Sequence, residues 1–191
     1  FYVQPQKNTL TDCLAVVGIT PDQVTDLILS HLHFDHAGGM GEVRAGKCEP
    51  VFKNAVLHLH KKHFEYSLAP TARDSGSFQK NNFLPIVEYY NSHHKVHWLT
   101  ENQGELIPEA HIHYRCSQGH TPFLIHPYDS KFIYLADLIP TSHHIPIPWV
   151  MGYDIHPGQT VKDKEEILQF ILQKNCTLFY EHDPEFIGSS I

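Results

Sequence analysis

Residues 31–36 read His-Leu-His-Phe-Asp-His, three imidazoles and a carboxylate in one short stretch. In extended backbone, side chains two apart project to the same side, so His31 and His33 can bind one ion. Asp35 and His36 come where a strand has ended, and a turn there can aim them at a second ion. Gly38 and Gly39 permit the tight backbone such a turn needs. Imidazole and carboxylate together suit zinc, and also iron or manganese. The plainer alternative is an exposed polar loop that happens to hold three histidines. It is disfavoured because an apolar run precedes the motif and paired glycines follow it.

Elements must exist to hold such a site. Residues 24–30, VTDLILS, are apolar and β-branched and read as a buried strand that ends at the motif. Ahead of it, Leu10, Leu14 and Val17 recur at helical spacing, with Thr9 or Thr11 as N-cap and Gly18 as the stop. Residues 55–60 are a second strand and 61–68 a short helix. Residues 70–82 are polar and turn-rich, a loop near the mouth of the site. Residues 83–91 read as a helix despite Pro85, and strands follow at 96–99, 112–116, 123–126 and 132–135. Residues 161–173 form an amphipathic helix with Ile167, Phe170 and Ile171 on one face. Its acidic run, Asp163, Glu165 and Glu166, reads as the solvated face. Residues 176–180, CTLFY, are a last strand. Strands with helices packed outside them make an α/β layered domain, and 191 residues fit one domain over 1–191.

Composition narrows the partners. Fourteen Lys and Arg against 21 Asp and Glu give a formal charge of -7, without a long basic run. That argues against sequence-independent binding to nucleic acid or an anionic membrane, and for a small-molecule substrate. No apolar run is long enough to span a bilayer. Cys13, Cys48, Cys116 and Cys176 form no CxxC pair, so they read as buried free thiols in a reducing, cytoplasmic compartment. Secretion stays open, since the natural N-terminus can precede Phe1. There is no GxSxG elbow, P-loop or GxGxxG.

The order of strand, HxHxDH and glycines resembles the metallo-β-lactamase superfamily, whose fold is an αββα sandwich with metals at one edge. The resemblance covers about residues 9–185. It implies three further ligands. Gly119-His120-Thr121 looks like the family's GHT segment, so His120 would complete a first site with His31 and His33. Asp137, after Tyr134-Leu135-Ala136, looks like the bridging carboxylate. His182, after CTLFYE, looks like the last ligand of a second site with Asp35 and His36. The implied cofactor is a pair of zinc ions, with iron or manganese as alternatives. The implied activity is hydrolysis by a hydroxide held between them, since zinc lowers the pKa of bound water from about 15.7 to about 7. Asp35 or Asp137 would orient that hydroxide or shuttle a proton.

Softer stretches, Asn54-Ala55, residues 69–74, 82–85, 137–141 and 152–157, are similar to the lactonase, esterase and phosphotriesterase-like branch. The expected bond is therefore an ester, lactone or phosphotriester of a small molecule. Departures matter here. Phe123 stands where the family often has glycine, and is expected to narrow the pocket. Acyl-homoserine lactonases carry a tyrosine three residues after the bridging aspartate, where this chain has Pro140. Tyr153 is a candidate hydroxyl for the substrate, with a buried structural tyrosine as the favoured alternative. His143 and His144, in the loop PTSHHIPIPW, can line the pocket beside Trp149, orient Asp137, or simply be loop residues. Family members begin with a β-rich segment that has no counterpart here, so the domain is expected to lack an N-terminal portion. The rival activities are an iron-dependent, sulfur dioxygenase-like oxidoreductase and a glyoxalase II-like thioester hydrolase. A homodimer is left open.

The chain has 17 histidines, and most lack a supporting pattern. His58 and His60 alternate in AVLHLH, and His111 and His113 in AHIHY, with no acidic partner at ligand spacing. Both pairs are read as solvated strand faces. His63, His93, His94, His97, His126 and His156 stand alone.

Overall fold

Apolar residues segregate into three cores, and these define the layers. In the computed structural model, which describes residues 9–44 and 47–191, the chain forms α1 (Leu10–Val16), β1 (Asp26–Ile28), α2 (Phe34–Ala37), the hairpin β2 (Gly41–Arg44) and β3 (Lys47–Pro50), then β4 (Val56–His60) and α3 (Lys61–Leu68). It continues with α4 (Lys80–Ser92), β5 (Val96–Leu99), β6 (Gln103–Ile107), β7 (Ile112–Ser117), β8 (Leu124–Tyr128), β9 (Phe132–Tyr134), α5 (Pro157–Lys174), β10 (Thr177–Phe179) and β11 (Gly188–Ser189). The FYVQPQ start lies outside the described residues.

One sheet runs β1-β4-β5, all parallel, and the other runs β11-β10-β9-β8-β7-β6 and is mostly antiparallel. The first core joins Leu57 and Leu59 of β4 to Phe83, Ile86, Val87 and Tyr90 of α4. The second, Leu99, Leu106, Tyr114 and Ile125, lies between the sheets. The third joins Ile133, Leu135 and Leu178 to Ile167, Leu168 and Ile171 of α5. Helix, sheet, sheet, helix is the expected αββα order.

Pro85 inside α4 removes one helical hydrogen bond, at about 3 kcal/mol. Four fully buried side chains on that helix, at about 1.5–3 kcal/mol each, outweigh it. The Tyr90 hydroxyl further donates to Phe52 O at 2.6 Å. Helix α5 starts with Pro157 at its first position, where the missing N–H costs nothing, and stops at Asn175 in left-handed backbone.

Several expectations need correction. Helix α1 forms, fastened by a Thr9–Asp12 capping box, but none of its residues is buried; Leu10 is 50% and Val17 68% exposed. Local capping makes the helix, and its apolar side is only partly covered, with Leu14 half-buried and Leu10 beside Gly39. His58 and His60 are buried rather than solvated, because β4 is covered on both faces, as parallel strands are. His58 bridges Asp26 Oδ1 (2.7 Å) and His97 Nδ1 (3.0 Å). His111 is exposed and His113 half-buried. Asp163 is not on a solvated face: it is 7% exposed, whereas Glu165 and Glu166 are exposed. Phe123 takes a left-handed φ of 58°, which explains why glycine suits this position. Its ring does not narrow the pocket. It stacks on His60, with ring centres 4.5 Å apart, and offsets a strain of about 1–3 kcal/mol.

Candidate metal centre

Strand β1 delivers the motif. The strand ends at Ile28, the chain bends at Ser30, and His31, Leu32 and His33 follow, with His33 at φ -62°, ψ 149° as the N-cap of α2. The single turn of α2 then presents Asp35 and His36. Ligand atoms of His31, His33, His120 and Asp137 lie within 4.8 Å of one another, and so do those of Asp35, His36 and His182. All seven residues expected from the sequence are thus gathered into two adjoining groups.

Asp137 joins the groups. Its Oδ2 is 3.1 Å from His120 Nε2, 3.3 Å from His36 Nε2 and 3.6 Å from His31 Nε2, and its Oδ1 is 3.1 Å from His182 Nε2. The three-residue helical turn 136–138, opened by Ala136 at a φ of 45°, turns it inward at the end of β9. Asp35 Oδ2 stands 3.8 Å from His36 Nε2 and 3.7 Å from His182 Nε2.

The donors fit divalent metal ions. His31 Nε2 and His33 Nε2 are buried without a hydrogen-bond partner, an unfavourable state that a cation relieves. Burial, reinforced by neighbouring histidines, pushes His31 well down and His33 down to about 2, so both keep the free lone pair a metal needs. Burial works against the Asp137 carboxylate, yet His120, His182 and His36 hold it far below the usual range. Burial also works against a charged His120, but Asp137 and Asp154 raise it to about 9. Hydrogen bonding to Asp137 raises His182 as well.

A supporting shell holds the first group. Asp154, 1% exposed, accepts from His120 Nδ1 at 2.9 Å and so turns Nε2 toward the centre. Asp163 accepts the amides of Gln118 (2.7 Å) and Gly119 (2.8 Å), fixing the turn that carries His120. That turn needs glycine: a Cβ on Gly119 would stand 2.2 Å from Thr160 N of α5. Lys164, fully buried, donates to the carbonyls of Pro146, Ile147 and Trp149 and fastens the loop above. Arg73 reaches the carbonyls of Gly152 (2.8 Å) and Asp154 (3.1 Å), tying loop 70–77 to the same wall.

Asp154, Asp163 and His63 were not among the site residues expected from the sequence. Asp163 had a visible signal, since it sits four residues before Ile167 on the apolar stripe of α5. His63, fully buried and pushed down to about 4 by burial, had none.

A cavity of about 290 Å³ opens over both groups. His33, Asp35, His120, Asp137 and His182 form its floor, and Phe34, Pro140, Met151 and Tyr153 its apolar walls. Ser77, Thr141 and His144 add polar edges, with no Lys or Arg in the lining. Tyr153 is 75% exposed at the rim. His143 and Trp149 do not line the cavity.

Comparison with known proteins agrees with this architecture. The family model described as the metallo-beta-lactamase superfamily matches residues 3–182. N-acyl homoserine lactonase of Bacillus thuringiensis is 24% identical over 94% of this chain and 64% of its own length. N-acyl homoserine lactonase AttM of Agrobacterium fabrum is 23% identical over 91% and 64%. A probable metal-dependent hydrolase from Staphylococcus aureus superposes with a TM-score of 0.82 at 24% identity, covering 97% of this chain and 64% of that one. AidC, a dizinc quorum-quenching lactonase in complex with its product N-hexanoyl-L-homoserine, gives 0.72 at 22%, covering 94% and 64%. The chain therefore spans just under two thirds of the length of these relatives. With the sandwich, the two ligand groups and the family match in agreement, the chain belongs to the metallo-β-lactamase superfamily.

Proposed function

We propose that this chain carries the active site of a two-zinc hydrolase that cleaves an ester, lactone or phosphotriester bond of an uncharged small molecule. The observation that carries it is Asp137, whose two oxygens stand within 3.1–3.6 Å of histidines from both ligand groups. His31, His33 and His120 would hold one ion, Asp35, His36 and His182 the other, and Asp137 both. Zinc bound there would supply a Lewis acid for the substrate oxygen and lower the pKa of a water to about 7. Similarity to N-acyl homoserine lactonases puts lactones first among the three bond types.

The side chains divide the remaining work. Asp35, exposed at the cavity floor, exchanges a proton with solvent during turnover, while the buried Asp137 stays ionised and orients the reacting groups. Phe34, Pro140 and Met151 exclude water and bind the apolar part of the substrate. With Pro140 where the lactonases carry tyrosine, a hydroxyl or imidazole must come from elsewhere. Tyr153 and His144, the latter held at Nδ1 by Thr141 Oγ1 at 2.8 Å, contact the substrate's polar atoms in its place. Among the described residues no Lys or Arg lines the cavity, so substrate recognition away from the metals falls to apolar walls and neutral polar edges.

The test is to strip metal with chelator, restore zinc, and follow a hexanoyl homoserine lactone, an aryl ester and a phosphotriester. Turnover that disappears and returns with two zinc ions per chain is expected. A folded, zinc-loaded protein that cleaves none of the three would contradict the proposal, as would one iron and no zinc per chain.

A further inference from the structure

We propose that His63 is a positioning residue for the first metal group, a neutral ring that joins the His31–His33 segment to the turn carrying His120. The inference rests on the metal-site reading above but not on any substrate. His63 lies on α3, outside both ligand groups, and is 0% exposed. Its Nε2 accepts the backbone N–H of Leu32 at 2.8 Å, and its Nδ1 donates to the carbonyl of Pro122 at 2.7 Å. An amide can only donate and a carbonyl can only accept, so one tautomer serves both: proton on Nδ1, lone pair on Nε2.

Leu32 is the residue between two ligands, and Pro122 lies two residues after a third. Fixing the Leu32 N–H fixes the His31–Leu32 peptide plane, and so anchors the segment that carries both imidazoles. A backbone bond from Ile125 N to Ser30 O (2.9 Å) joins the same two segments just ahead of His31. The two ties thus bracket that ligand. The Phe78 ring packs edge-on against His33 at 4.7 Å and at 5.8 Å from His63, which holds the bridge and the ligand in one packed unit. Replacing the imidazole by an alkyl group would strand two buried backbone groups and free the separation between the segments.

Glutamine offers the same pairing, an oxygen acceptor beside an N–H donor on one planar group, so His63→Gln can rebuild the bridge where His63→Leu cannot. The experiment titrates the apo forms of wild type, His63→Leu and His63→Gln with zinc against a chromophoric chelator. We expect one of two zinc sites in His63→Leu to weaken about 10- to 100-fold, the usual effect of losing such support, with the other within about threefold. His63→Gln should stay within about threefold of wild type at both. Equal affinities in all three proteins, or a glutamine variant as weak as the leucine one, would overturn the proposal.

Should His63→Leu fail to fold, nitrogen-detected NMR of the wild-type zinc protein decides. A coupling across the hydrogen bond between the Leu32 amide nitrogen and His63 Nε2, with the proton on Nδ1, is required. Its absence, or a proton on Nε2, refutes the bridge. Neither readout involves turnover, so tight zinc binding without hydrolysis would sink the proposed activity and leave this inference standing.

Discussion

The two ligand groups share Asp137 but differ in how they are held. His31, His33, His120 and Asp137 are all buried, whereas Asp35 and His182 are exposed and His36 only half-buried. Around the first group stand Asp154, Asp163 and His63, each making buried hydrogen bonds to a ligand or to the backbone beside one. His182 leans instead on its contact with Asp137, and its backbone N–H donates to Pro140 O at 2.9 Å. Burial strips these imidazoles and the carboxylate of water, so the first group needs rigid partners to be tolerated at all. The second can borrow water. The first is therefore the preorganised half of the site, and the second the half open to solvent.

Removing the shared member should erase the contrast. Asp137→Ala is expected to abolish two-ion binding and to cut kcat/KM by about a thousandfold or more, as several kcal/mol of metal-dependent stabilisation are lost. Metal analysis after dialysis, beside kinetics, checks both halves. Next come the paired truncations. His120→Ala leaves Asp154 buried without its imidazole partner and strips Asp137 of one of its four, and should destabilise the protein by about 3 kcal/mol. His182→Ala, at an exposed position, should shift stability by less than about 0.5–1 kcal/mol while still impairing activity. Urea unfolding of both variants reads the difference; equal losses would erase the distinction between the two halves.

Asp154→Asn keeps the shape but weakens the orienting bond to His120. A drop of about 10- to 100-fold in zinc affinity at one site, with the other unchanged, is expected by competition titration. A last prediction concerns a buried histidine outside both groups. Burial pushes His126 down to about 3, although Ser117 Oγ lies 2.9 Å from its Nε2. Its folded pKa lies below the unfolded value of about 6.5, so its stabilising neutral state is complete above pH 6.5. That contribution is lost as pH falls from about 6.5 toward 3. In zinc-free buffer, His126→Leu should flatten the fall of stability across that window by up to about 1.4 kcal/mol per pH unit. A wild-type slope in the variant would mean that His126 is not held neutral.

His126 also shows what sequence could and could not tell. The HLHFDH run was legible because residue type, spacing and the preceding apolar strand agree, and family order then pointed to His120, Asp137 and His182. Exposure is another matter. His58 and His60 alternate with leucines as a half-solvated strand would, yet β4 is sandwiched and both are buried. Nothing local distinguishes those cases, since the covering groups, Asp26, His97 and Phe123, lie 32 to 63 positions away. His63 was unreadable for the same reason: its partners, Leu32 and Pro122, are distant in sequence and offer backbone atoms, which carry no residue signature. Asp163 was readable in principle, as a carboxylate on an apolar stripe, but its place in an acidic run disguised it. Phe123 illustrates a tertiary override, a left-handed aromatic tolerated because His60 stacks on it.

The central claim is that two ions share Asp137. Anomalous diffraction at the zinc absorption edge, from crystals of zinc-loaded protein, tests it most directly. Two peaks per chain are expected, one among His31, His33 and His120 and one among Asp35, His36 and His182, with a carboxylate oxygen of Asp137 reaching each. A single peak, or a second one out of reach of Asp137, would contradict it.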